Sequence, residues 1–65
     1  MKVQDLEIYV HDKVCIYTEL PPEDEYDLRF SDVFKGELRD APLIIKQMDV
    51  RSIGAKQKGI VDIRV

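Results

Sequence analysis

One histidine, one cysteine and a concentrated run of acids are the residues of this chain best suited to chemistry. His11 stands beside Asp12, a pairing that can act as a general base when a nucleophile is placed against it. Spacing sets no serine or cysteine to complete such a site, and neighbouring residues in a turn point apart. His11-Asp12 is therefore read as a solvated turn, and no catalytic residue is assigned. The segment Glu19 to Asp27 (ELPPEDEYD) holds five acids, Glu19, Glu23, Asp24, Glu25 and Asp27, and no base. It lacks the alternating spacing and glycine of a calcium loop. The plainer reading is an exposed, solvated loop; the functional one is contact with a basic protein partner, mimicry of a nucleic-acid backbone included, and neither metal nor cofactor is expected. A basic group, Arg51, Lys56, Lys58 and Arg64, falls near the C-terminus and is the candidate nucleic-acid contact. It has no interleaved aromatics, so surface charge guarding a strand edge is the plainer reading.

Length and charge bound these options. A chain of 65 residues makes one small domain, which buries only about 60% of the surface its unfolded form exposes. Cys15 is the sole cysteine, so no disulfide framework supports the fold. It lies in an apolar run and is expected to be a small buried hydrophobe in a reducing compartment. No secretory signal pattern is visible, and no apolar run approaches the roughly 20 residues of a membrane helix. The expected location is cytoplasmic, with no membrane contact. Disulfides and a metal cluster being excluded as supports, self-association is the expected supplement to the core. Net charge is −3. Residues 1–34 carry nine acids and three bases, whereas residues 35–65 carry seven bases and four acids.

The elements that must position these residues begin at the C-terminal end. Ile60, Val61, Ile63 and Val65 alternate with Asp62 and Arg64, the period of a half-buried strand. Val50, Ile53 and Ala55 form a second strand-like run, and Gly59 in the Lys56–Gly59 loop supplies the positive φ of a short hairpin. Val61, Ile63 and Val65 are the expected self-association residues, in a two-fold dimer, because the last strand looks like an edge needing cover. Upstream, Leu6, Ile8 and Val10 and then Val14, Ile16 and Thr18 alternate around His11-Asp12-Lys13, which favours an N-terminal hairpin. Val3, Leu6 and Val10 also match helical spacing, the competing reading. Leu20-Pro21-Pro22 ends the strand. Leu28, Phe30, Phe34 and Leu38 share one face of a long strand, bulged or bent at Ser31-Asp32 and Gly36. Asp40 caps a helical turn over Leu43–Lys46, with Pro42 in its first turn. The expected fold is mainly β, a small antiparallel sheet or barrel of about five strands with one short helical turn. An α+β arrangement with an N-terminal helix is the alternative.

Phe34-x-Gly36-x-Leu38-x-Asp40-x-Pro42, Val50-x-x-Ile53-x-Ala55 and Ile60-Val61-x-Ile63-x-Val65 together resemble small, mostly uncharacterised accessory proteins. These are carried by phages and integrating mobile elements of Gram-positive bacteria. The resemblance covers residues 33–65. The front segment is shorter than the helix-like opening usual there, and ELPPEDEYD replaces a tight turn. That group has no established catalytic residues, so none is carried over. The resemblance implies a binding protein of a mobile element, and some such proteins are similar to inhibitors of host CRISPR nucleases. The expected function is thus a non-enzymatic binding module with a protein partner. A nucleic-acid-binding or DNA-acting protein using the basic hairpin is the alternative.

Overall fold

Among the described residues, four strands make a single mixed sheet, and short helical segments lie on one of its faces. The computed structural model describes residues 1–21, 23 and 28–65, and for Lys56 the backbone alone. The strands are β1 (Lys13–Glu19), β2 (Phe30–Glu37), β3 (Ser52–Gln57) and β4 (Ile60–Arg64). Their order is β2-β1-β4-β3. β1 pairs antiparallel with β2 and parallel with β4, while β3 and β4 pair antiparallel. Two 3-10 segments, η1 (Val3–Leu6) and η2 (Leu38–Asp40), and one helical turn, α1 (Leu43–Lys46), complete the architecture.

The expected mainly-β class with one short helical turn is what the chain adopts. The sheet has four strands, is mixed in direction and does not close into a barrel. The parallel β1–β4 pair follows from the path after β2: the chain crosses the sheet through η2 and α1 and returns along β3 at the opposite edge.

The N-terminal hairpin expected over Leu6–Thr18 does not form. Both sides of β1 are occupied, by β2 and β4, so no ladder remains for a strand before it. The helical spacing prevails instead. Val3 and Leu6 are buried and Val10 packs against the same core, while Ile8 and Tyr9 are 75% and 76% exposed. The Leu6 carbonyl accepts from the amides of Tyr9 and Val10 at 3.0 and 2.9 Å. Asp5 accepts from the Lys2 amide at 2.8 Å, satisfying one of the donors that a helix start leaves open.

The terminal hairpin forms with a shorter loop, Lys58-Gly59, in which Gly59 takes φ +79°. Asp40 lies in η2 and does not cap α1. The residue preceding that turn is Pro42, which is extended and whose carbonyl accepts from the amides of Ile45 and Lys46, both at 3.0 Å. Lys46 then ties the segments together. Its Nζ donates to the Arg39 carbonyl at 2.9 Å and pairs with Glu7 at 3.3 Å.

Val14, Ile16, Ile63 and Val65 form the sheet side of the core, and Val3, Leu6, Leu38, Ala41 and Ile45 form its cover. Both edge strands carry an extra residue. In β2, Ile16 pairs with Phe34 but Tyr17 pairs with Asp32, leaving Val33 unmatched. In β3 the register slips between Gly54 and Gln57. Such bulges blunt an edge against pairing with other chains. The bulge at Val33 also reverses which way the side chains of β2 face. Phe34 packs on the core, whereas Phe30 sits edge-on to Tyr17 on the other side, ring centres 5.4 Å apart. The expected single apolar face of Leu28, Phe30, Phe34 and Leu38 is thus divided, with only Phe34 and Leu38 facing inward.

Candidate interaction surfaces

Side chains on the face away from the core can be placed from the strand registers. Lys13, Cys15, Tyr17 and Glu19 alternate with the buried Val14 and Ile16 along β1, so they point outward. Across the ladders, one row runs Asp32–Tyr17–Arg64 and the next runs Lys35–Cys15–Asp62. Cys15, Tyr17, Phe30, Asp32, Asp62 and Arg64 line one open depression of about 450 Å³.

The charges of β2 interact locally. Lys35 Nζ lies 3.1 Å from Asp32, and that hydrogen bond and the carboxylate's charge hold the ammonium above its ordinary range. The Cys15 thiol donates to Asp32 at 3.7 Å. Partial burial, and then the nearby Asp32 carboxylate, push the thiol above its usual value. A thiol so held is protonated and a poor nucleophile. Cys15 is half-buried on the open face and is not the core hydrophobe expected, because the strand's alternation assigns the core to Val14 and Ile16. Arg64 Nε is shielded from solvent and has no hydrogen-bond partner among the described residues.

The predicted acidic partner site falls at the far end of the β1–β2 hairpin. Glu19 ends β1 opposite Phe30, and the Leu20 amide donates to the Arg29 carbonyl at 2.8 Å. Glu23 pairs with Arg29 at 3.3 Å and remains largely exposed. Asp24, Glu25 and Asp27 lie outside the described residues. Beside these acids stand apolar side chains that the alternation assigned to the core but that lie at the surface: Leu28 is 69% exposed and Phe30 43%. Leu28 belongs to the face assigned to the core, and only the bulge at Val33 separates it from Phe34.

The four basic residues proposed for nucleic acid are not gathered into one patch. Arg51 and Arg64 meet at one end of the β3–β4 hairpin, where the Arg51 amide donates to the Arg64 carbonyl at 2.7 Å. Lys58 lies in the turn at the other end, roughly 20 Å from Arg64 along the strand at about 3.3 Å per residue. Of Lys56 only the backbone, in β3, is described. Arg51 moreover shares a depression with Glu19, and Arg64 shares one with Asp32 and Asp62. Arg51 thus lines a depression with one acid and Arg64 with two.

The self-association residues also move. Ile63 is fully buried and Val65 nearly so, and Val61 packs against the core. β4 lies between β1 and β3 and has no free edge, so these three side chains stabilise the monomer and present no outward surface. His11 and Asp12 are exposed and border a polar depression of about 240 Å³ together with Glu7, Glu37 and Arg39. Among the described residues no group of three or more His, Cys, Asp or Glu is arranged to hold a metal. Among them, too, no helix is long and apolar enough to cross a membrane. No family model matches the chain, and neither a curated protein nor a solved structure does so.

Proposed function

We propose that this protein is a non-enzymatic binding module that offers the acidic end of its β1–β2 hairpin to a basic protein surface. The observation that supports this reading is the juxtaposition of exposed Leu28 and half-exposed Phe30 with Glu19 and Glu23. Exposed apolar groups rimmed by polar ones mark interaction sites, and the charge selects a basic partner. In its finer form, the protein belongs to a phage or mobile element, and the acidic end occupies the nucleic-acid groove of a host defence nuclease.

Titration of the purified protein with a labelled arginine-rich peptide and with labelled duplex DNA, each at about 50 and 200 mM salt, tests the reading. The peptide should bind, and the combined Glu19→Gln, Glu23→Gln and Leu28→Ser variant should weaken it at least about tenfold. Salt-sensitive binding of DNA, with the peptide ignored, would overturn the proposal in favour of the basic hairpin. The finer form predicts inhibition of a CRISPR nuclease that the same variant relieves.

A further inference from the structure

The open sheet face carries a charge pattern that is complementary to itself. The two central rows, Asp32–Tyr17–Arg64 and Lys35–Cys15–Asp62, reverse sign at both flanking columns. Negative stands above positive on β2, and positive above negative on β4. Along β1 the sequence of outward residues is Glu19, Tyr17, Cys15, Lys13, again acid at one end and base at the other.

We propose that this face binds a second copy of the chain, sheet against sheet, about a two-fold axis that runs at right angles to the strands between the two central rows. That operation lays each strand antiparallel over its own copy. Asp32 then meets Lys35 of the second copy, Arg64 meets Asp62, and Glu19 meets Lys13, each contact occurring twice as two-fold symmetry requires. Tyr17 meets Cys15 at the centre, where desolvated contacts contribute most. The other in-plane axis, along the strands, matches the β2 and β4 charges equally well. It sets Glu19 against Glu19 and Lys13 against Lys13, however, and is rejected on that ground. Glu37 stands opposite Lys13 on the same face, so Asp32, Asp62, Glu19 and Glu37 outnumber Lys35, Arg64 and Lys13 by one. The face therefore has no net attraction for a polyanion and suits its own copy better.

Strands spaced about 4.8 Å apart and residues about 3.3 Å along them give a face of roughly 19 by 17 Å. A face of roughly 320 Å² a side falls short of the roughly 800 Å² per partner of a standard stable interface, so the dimer is a weak, transient one. Its two hairpin ends project at opposite ends of the assembly, with Glu19 drawn into the interface and Glu23 and Leu28 left outside it. This inference does not rest on the function proposed for those ends.

Sedimentation equilibrium up to about 0.5 mM tests it. The parent should dimerise. Asp32→Lys sets two lysines against each other across the interface, and Lys35→Asp sets two aspartates, so each should weaken association at least about tenfold. An equimolar mixture of the two variants should restore it as a heterodimer, and so should both changes in one chain. Asp32 and Lys35 are exposed, and circular dichroism checks that the variants keep the fold. A parent monomeric at about 0.5 mM would overturn the proposal and leave the face to another protein or to single strands stacked on Tyr17 and Phe30. Dimers that survive either single change, or a mixture that fails to reassociate, would place the interface elsewhere and equally overturn it.

Discussion

On one face of the sheet Val14, Ile16 and Ile63 lie beneath η1, η2 and α1; on the other, the intervening Cys15, Tyr17, Asp62 and Arg64 lie beneath none of the described elements. The same two central strands build both faces, one residue apart. Strict alternation along β1 and β4 keeps the two chemistries separate, so the polar face takes nothing from the core. The edge strands depart from that rule. One unmatched residue, Val33, turns the first half of β2 over, which delivers Phe30 to the open side and leaves Phe34 in the core. The central strands thus define the core, while a bulge at the edge furnishes the outer surface with an aromatic.

The most severe way to break this distinction is to damage the covered face. Ile16 is fully buried, and Ile16→Ala should cost about 2–5 kcal/mol. For a domain of about 5 kcal/mol in total this approaches unfolding, and the thermal melt should lose its cooperative transition. A variant that melts like the parent would mean that the helical layer does not cover β1.

Gly36 tests the bend in β2. Its φ of +138° is a conformation that side chains rarely adopt, although an added Cβ would find Phe34 no nearer than 3.6 Å. Gly36→Ala should therefore cost about 1–3 kcal/mol through backbone strain alone, measurable by urea unfolding. An unchanged midpoint would show that the strand runs straight there.

The open face should contribute the smallest effect, and only at high pH. Cys15 and Lys35 both titrate above their ordinary values in the folded state. Groups with raised folded pKa add stability that is fully present below the unfolded pKa and lost as pH rises through the folded one. Melting temperature should accordingly fall from about pH 9 upward, first through Cys15 and then through Lys35. Cys15→Ala should remove the earlier part. A melting temperature that rises over this range would contradict the placement of both groups beside Asp32.

Much of the covered face is legible in the chain. The alternation of Ile60–Val65 and of Val14–Thr18 marks β4 and β1, and Gly59 marks the turn that leads into β4. Leu43–Lys46 is the helical turn expected. The N-terminal segment misleads because Leu6, Ile8 and Val10 alternate while Val3, Leu6 and Val10 also fit a helix; only the occupied sides of β1 decide between them. The parallel β1–β4 pairing is not a local property, and neither is the bulge at Val33, which depends on what β1 offers opposite it. For the same reason the open face is not legible. Asp32, Cys15, Tyr17, Asp62 and Arg64 become neighbours only when strands distant in sequence fall into register. The acidic end, in contrast, is written in one continuous run.

Whether β2 reverses at Val33 is tested most sharply by a paired comparison of Phe34→Ala and Phe30→Ala in urea. Phe34 packs against the core, so its truncation should cost about 2–4 kcal/mol, somewhat less than for a fully buried aromatic. Phe30 has only the Tyr17 ring and partial shelter to lose, about 1 kcal/mol. The midpoint for Phe34→Ala should be clearly the lower of the two. Equal losses, or a greater loss for Phe30→Ala, would show that both rings share one face and that β2 does not turn over.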